Sequence, residues 1–384
     1  MIMKGKEDFP GWYKEFRENH AGMFRQALMP PQRYGLSIVI RPSNMDLEKI
    51  PTGNAVYSLK YSKDTEAEIT QEIANDMKEF MTEKWAASKH KLYHFHEAFA
   101  NDFILIKIPK GIALKKPLSI DYDIKNGPLL SNICIMAEEN SEAKIFITKS
   151  SGAMENSFVS DHIRLLAGSN SRIAVVTVQD LGKSIASIQD RISIAGKGAS
   201  VSWTDLCLGS HYSKADVVSR LEGEGAESKI TVLFSGNDNQ RYDIYTASVH
   251  KAPNTNSDIL TKGVLNSQAK GLSRGLVRIE KNAYGSNGYE KQDCLLLSSE
   301  AEADAIPNLE INNHDVKCSH GSTIGQIDKE QLFYLMSRGL NEESAKKKII
   351  EGYFAPVLDM MQDQDAREKL QATIEKAIEA QNAD

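Results

Sequence analysis

The residues best suited to chemistry lie late in the chain, in His314-Asp-Val-Lys-Cys318-Ser-His320-Gly-Ser. An extended strand alternates its side chains between two faces, so Cys318 and His320 would share one face, with His314 farther along it. Thiolate and imidazole are suitable ligands for iron, zinc or the edge of a cluster. Two ligands are too few for a closed site, so such a site needs ligands from another chain. The structural alternative is a buried thiol beside a hydrogen-bonded imidazole.

Other motifs fall short. Gly182-Lys183-Ser184 has the tail of a phosphate loop, but Thr177 stands where that loop needs its first glycine. No glycine-rich nest surrounds it, so this chain is expected to bind no nucleotide and to carry no ATPase of its own. GxSxG, HExxH and paired-cysteine motifs are absent. Polysaccharide-cleaving β-helix enzymes need clustered catalytic groups, whereas the acidic residues here are scattered, so a carbohydrate-active enzyme rests on fold analogy alone. Cys134, Cys207, Cys294 and Cys318 lie far apart, which fits free thiols in a reducing compartment better than a disulfide framework.

Composition narrows the setting. The 384 residues are 41% hydrophobic and 26% charged, enough for a sizeable core. A net charge of −6 and a pI near 5.9 argue against a general nucleic-acid binder. Residues 1–10 are charged and lack the apolar stretch of a signal peptide, and no run is long enough to span a bilayer. The expectation is a cytoplasmic protein with no membrane contact.

The elements that would position Cys318 and His320 read as follows. Residues 1–102 form a mixed α/β region. In it, Gly11 to Met29 is a helix with Trp12, Phe16, Met23, Phe24 and Leu28 at helical spacing, stopped by Pro30-Pro31. A short strand is expected over Leu36 to Ile40. Asp64 to Ala87 reads as one long helix, with Ile69, Ile73, Met77, Phe80 and Met81 on its packed stripe.

Residues 103–326 change character. Four similar turns precede Ile145, Ile173, Val201 and Ile230, positions that step by 28, 28 and 29 residues. Each turn follows a strand-like segment, at Ile133 to Ala137, His162 to Ala167, Arg191 to Ala195 and Val217 to Leu221. A fixed step without long helices predicts a stacked β-solenoid, with Ile145, Ile173, Val201 and Ile230 at one inward position. The competing architecture is a β-sandwich with chance spacing. Beyond Ser235 the pattern weakens, and Asn237 to Arg241 reads as an inserted polar loop.

Residues 327–384 are helical. Asp328-Lys-Glu-Gln331 is a capping box, Gly339 ends the first helix and Asn341 caps the second. Ala345, Ile349, Tyr353, Phe354, Val357 and Leu358 form the stripe of that second helix. A third is expected from Asp365 to Gln381. Tyr334, Arg338 and Lys346-Lys-Lys348 remain outside for a partner, although a lysine run is more simply a solvated face.

These segments also carry a resemblance. Asp315-Val-Lys-Cys-Ser-His-Gly-Ser-Thr-Ile-Gly325, Asp328-Lys-Glu-Gln-Leu-Phe-Tyr334 and Ser337-Arg-Gly-Leu340 closely resemble the C-terminal signature of the SufB/SufD family of the SUF iron–sulfur cluster assembly system. Leu295-Leu-Leu297 and Ile306-Pro-Asn-Leu-Glu310 fit the same pattern. The likeness is specific from about His250 to Met361 and loose through the solenoid. The tryptophan–arginine–tyrosine–threonine stretch common in the family's N-terminal part is missing.

The resemblance implies a right-handed parallel β-helix between an N-terminal α/β domain and a C-terminal α-helical domain. It implies a non-catalytic scaffold that pairs with a SufB-type subunit through the β-helix, carries a transient iron–sulfur cluster at that interface, and docks a SufC-type ATPase through its C-terminal helices. Phe333, Tyr334, Arg338 and Gly339 are the docking residues this points to. Ala301 stands where SufB-type chains have a cysteine, and Gly321 follows His320 where those chains have glutamate; both departures point to the SufD branch. The resemblance gives His320 the interface role and leaves Cys318 open. A homodimer that assembles clusters without a SufB-type partner is the alternative, and the missing cysteine at position 301 argues against it.

Overall fold

The computed structural model describes residues 9–30, 47, 50, 55–62, 66–86, 89–152, 157–359, 368 and 371. The strand expected over 36–40 lies outside them, as does the helix expected over 365–381 apart from residues 368 and 371.

Among the described residues the chain begins with α1 (Gly11–Gln26), β1 (Val56–Tyr61), β2 (Glu68–Thr70), 3-10 turns at Asn75–Phe80 and Glu83–Trp85, and α2 (Lys91–Phe99). There follow β3 (Asp102–Ile108), β4 (Leu118–Asn126), β5 (Leu129–Ala137), β6 (Glu142–Ser151), β7 (Phe158–Ala167), β8 (Arg172–Asp180), β9 (Ala186–Ala195) and β10 (Ser200–Cys207). The run continues with β11 (Tyr212–Leu221), β12 (Glu227–Gly236), β13 (Arg241–His250), β14 (Asn256–Leu265), β15 (Lys270–Ile279), β16 (Asn287–Leu296), β17 (Glu302–Ile311) and β18 (Lys317–Gln326). Helices α3 (Lys329–Ser337) and α4 (Glu342–Asp359) come last.

The strands make a parallel β-solenoid of about eight turns, flanked by the helices. Odd-numbered strands from β3 to β17 form one sheet and even-numbered strands from β4 to β18 the other. Each coil crosses from one sheet to the other through a tight corner. At one corner the chain places Asn140, Asn170, Gly198, Gly225, Asn254 and Gly285 at φ between 57° and 69°. Only asparagine and glycine visit that left-handed region readily, which is why they recur there. A side chain at Gly198 would also strike the amide of Asn170 below it. The backbone N–H of each of these residues donates to a carbonyl in the next coil, as from Asn140 to Ser169 and from Gly285 to Asp315.

The ladder corrects the register read from the sequence. Ile145 pairs with Val175, Trp203 and Ile230, whereas Ile173 pairs with Ala143, Val201 and Ser228. The four expected positions all face the same core and are all buried, but they belong to two columns two residues apart. In this sheet residues in register are separated by 27 to 31 positions rather than a constant 28. Corner lengths vary, and a two-residue slip keeps a side chain on the same face, so hydrophobicity alone cannot detect it. Nor is 237–241 an insertion. Asn237 to Gln240 is an ordinary corner between β12 and β13, closed by a hydrogen bond from the Asn237 N–H to the Gln240 side chain at 2.8 Å.

The long helix expected from Asp64 to Ala87 is also overturned. Ile69 instead pairs with Ile106 as β2 adds to the edge of β3. Met77, Phe80, Met81 and Trp85 then fold into an apolar layer with Tyr13, Phe103 and Cys134. The β-branched and threonine content around Ile69 and Thr70 favours a strand, and an available sheet edge supplies the backbone partners.

The solenoid interior is mostly aliphatic, each fully buried side chain contributing about 1.5–3 kcal/mol. It also holds a charge-balanced group in which Arg191 pairs with Asp161 (2.5 Å) and Asp205 (3.0 Å), and Lys149 with Asp161 (3.2 Å). Outside, α1 and α2 cover the odd-numbered sheet through Tyr13, Phe24, Leu92 and Phe95. Ile350 and Phe354 of α4 pack on Leu206, Leu233 and Val264 of the even-numbered sheet. Among the described residues no helix is long and apolar enough to cross a membrane.

Candidate functional site

Strand β18 repeats the period-two pattern of the coils beneath it, but its inward positions carry donors. The column Leu118, Ile145, Val175, Trp203, Ile230 and Ile259 ends on Glu290 and then His320. The neighbouring column ends on Gly288 and then Cys318. Because β18 is the last strand of its sheet, His320 is exposed and Cys318 half-buried. Both lie on the same face of one strand, as their spacing predicted. His314 does not join them, since it sits exposed in the turn before β18.

The coil below shapes the site. A Cβ on Gly288 would come within 2.6 Å of Val277 Cγ1, so glycine there makes room for Val277, while Cys318 Sγ lies 3.4 Å from that position. Burial, and then the charge of Glu290, push the Cys318 thiol above its ordinary value. It is therefore protonated at neutral pH, and a metal ion must displace that proton to bind.

Glu290 is the residue the sequence reading missed. Its side chain is buried beneath His320, and burial raises its pKa to about 7 although Gln292 Nε2 donates to Oε1 at 2.5 Å. Its other oxygen is buried without a hydrogen-bond partner. Gly275 makes room for this carboxyl, since a Cβ there would overlap Oε1. In sequence Glu290 is one charged residue in an alternating strand. Only stepping back one coil from His320 places it below the imidazole.

Thiol and imidazole are donor types that iron, zinc or a cluster edge accepts. Cys318 and His320 supply two exposed-side donors, half of an ordinary four-ligand shell. A closed four-ligand shell would need further donors from outside these two residues. At this open end β17 and β18 have no strand on their outer edges among the described residues, and Ile311 and Ile324 are exposed beside them.

The expected docking residues gather on α3. This helix buries none of its side chains, and Phe333 (73%) and Tyr334 (55%) are largely exposed. Arg338 lies over the Tyr334 ring at 5.2 Å, and Gly339 ends the helix at φ 97°. Asp328 accepts from the Glu330 and Gln331 N–H groups, which is the Asp328 half of the expected capping box, and Asn341 accepts from the Ser344 N–H as its expected cap. The lysine run behaves as a solvated face: Lys346 pairs with Glu342 (2.7 Å) and Lys348 with Glu351 (2.6 Å).

Comparison with known proteins places this architecture. The family model "SUF system FeS cluster assembly, SufBD core domain" matches residues 123–353. The chain is 26% identical over 305 residues to the iron-sulfur cluster assembly protein SufD of Bacillus subtilis, covering 78% of this chain and 70% of that protein. It is 27% identical over 305 residues to an iron-sulfur cluster assembly SufBD family protein of Staphylococcus haemolyticus, covering 77% of this chain and 64% of that one. A SufBD family protein of Staphylococcus aureus (strain USA300) is 28% identical over the same length, with the same two coverages. The chain thus spans about two thirds of the length of these relatives.

Proposed function

This chain belongs to the SufBD family of the SUF iron–sulfur cluster assembly system, and from that premise we propose that it is a non-catalytic scaffold subunit of a cluster-assembly complex. One observation carries the reading. The inward columns of the solenoid end on His320 and Cys318 at an uncovered end, over a buried carboxyl. A SufB-type chain adding its own strands to the free edges of β17 and β18 would gain backbone hydrogen bonds and bury Ile311 and Ile324. It would also bring the missing ligands to His320 and Cys318. The nascent cluster is cargo held between the chains, with His320 as this chain's donor or as the group that orients a partner thiolate across the interface.

The exposed face of α3 supports the second part of the reading, docking of a SufC-type ATPase. Phe333 and Tyr334 offer aromatic anchors, and Arg338 a cation already stacked on one of them. Nucleotide chemistry then belongs to the partner. Gly182 lies in the corner after β8, where its N–H donates to Ser151 Oγ at 3.1 Å.

The test is anaerobic co-purification of the full chain with SufB-type and SufC-type candidates, followed by iron and sulfide analysis. The expected result is a ternary complex that gains cluster iron and labile sulfide on reconstitution. A chain that forms only homodimers and loads cluster alone would instead establish the partner-independent scaffold.

A further inference from the structure

A second set of donors lies under α2, on the outer face of β7 and several coils away from the open end. That helix lays His96 and Glu97 onto the outer face of β7, where His162 projects. All three side chains are buried, and one donor atom from each lies within 4.8 Å of the other two. Among the described residues no other three His, Cys, Asp or Glu groups come this close.

The hydrogen bonds around the cluster leave it incomplete. His96 Nδ1 is 2.7 Å from Ser160 Oγ, and His162 Nδ1 is 2.5 Å from Glu97 Oε1. Arg164 donates to the same Oε1, and to Asn132 Oδ1 at 3.0 Å. His96 Nε2 and Glu97 Oε2 remain, both buried and both without a hydrogen-bond partner. An imidazole carrying one ring proton keeps an in-plane lone pair on its other nitrogen. An unpaired buried polar atom is destabilising. A cation relieves an acceptor nitrogen and a carboxylate oxygen together.

We propose that His96, Glu97 and His162 bind one divalent transition-metal ion, Zn2+ or Fe2+, at a site separate from the cluster interface. Two imidazoles and one carboxylate suit those ions, whereas Ca2+ and Mg2+ prefer all-oxygen shells. Ser160 and Arg164 act from behind, one fixing the His96 ring through Nδ1, the other orienting the Glu97 carboxylate. Asp190, next to His162 in the ladder, is a further buried carboxyl beside the cluster. The rings now stack face to face, with centroids 3.5 Å apart and planes at 13°. Their lone pairs must converge on an ion, so binding turns one ring out of the stack.

The test uses the full chain with Cys318→Ser and His320→Ala, which removes the donors of the open end. After chelator dialysis it is loaded with Zn2+ alone or, anaerobically, with Fe2+ alone, then desalted and its metal measured. About one ion per chain is expected for at least one of the two, with a raised melting temperature. His96→Gln and His162→Gln should abolish retention, and Glu97→Gln should weaken it at least tenfold. Co2+ bound there should show weak visible bands without intense thiolate charge transfer. Independently of any variant's folding, adding the ion should shift the His96 and His162 ring resonances of the wild-type chain. No retained ion, an ion retained equally by His96→Gln, or unshifted ring resonances would each overturn the site and leave an ordered water as the occupant.

Discussion

At its N-terminal end the solenoid is finished by strands that run the other way: β1 pairs with β4 and β2 with β3, both antiparallel. Tyr57 of β1 and Tyr122 of β4 both hydrogen-bond the buried Asp102 carboxyl, at 2.7 and 2.6 Å. At the C-terminal end β17 and β18 stop the sheets without any such cover among the described residues, and the inward columns finish on Glu290, Cys318 and His320 instead of isoleucine. A solenoid needs capping because each coil buries its face only against the next. Where the chain supplies its own cap, the rung is closed and its buried carboxyl is met by two tyrosine hydroxyls. Where it supplies none, the rung is polar, and a second chain has both an edge to pair with and ligands to share.

That contrast can be broken most severely in the closed region. Trp203 is fully buried in the central column, with its indole N–H donating to Ser193 Oγ at 3.2 Å. Trp203→Ala should cost about 3–5 kcal/mol in urea unfolding. A loss under about 1 kcal/mol would mean the central rungs are not tightly packed.

The next effect belongs to the open end and depends on pH. Burial raises the Glu290 carboxyl from 4.5 in the unfolded chain to about 7 in the folded one. Between those values the native state keeps a proton that the unfolded chain has lost, so stability falls as pH rises from about 4.5 to 7 and stays low above it. Glu290→Gln should match wild type near pH 4 and exceed it at pH 8 by on the order of 3 kcal/mol. Unfolding curves with the same offset at both pH values would contradict the buried, unpaired carboxyl.

Partner binding separates α3 from the solenoid. Phe333→Ala combined with Tyr334→Ala should weaken ATPase binding about 10–100-fold while leaving the melting temperature unchanged. Calorimetric titration reads the affinity, and an undiminished Kd would move the docking surface elsewhere. Truncation after Gln326 is a poorer probe, because it also strips Ile350 and Phe354 from the patch at Leu206, Leu233 and Val264.

The smallest effect on folding carries the sharpest functional contrast. His320→Ala should change stability by less than about 0.5 kcal/mol, since the side chain is exposed. It should nevertheless strongly reduce cluster yield in the reconstituted complex, measured by iron content and visible absorption, with Cys318→Ser affecting yield less. Wild-type yield from the His320→Ala complex would remove this residue from the site.

Much of this architecture was legible in the chain itself. Recurrent asparagine and glycine corners require a left-handed residue once per coil, and alternating β-branched residues between them require two-faced strands, so the solenoid follows from local rules. The helix stops and caps at Asp328, Gly339 and Asn341 follow from backbone groups that need partners whatever the surroundings. The shared face of Cys318 and His320 follows from a period of two. Stacking decided what lies a coil apart: whether Ile145 meets Ile173 or Val175, and that Glu290 sits under His320. It also drew residues 68–70 onto a sheet edge and set His96 and Glu97 against His162. Local pattern determines which face a side chain takes. Which distant residue shares that face depends on corner lengths and on free edges, and these exist only once the coils are stacked.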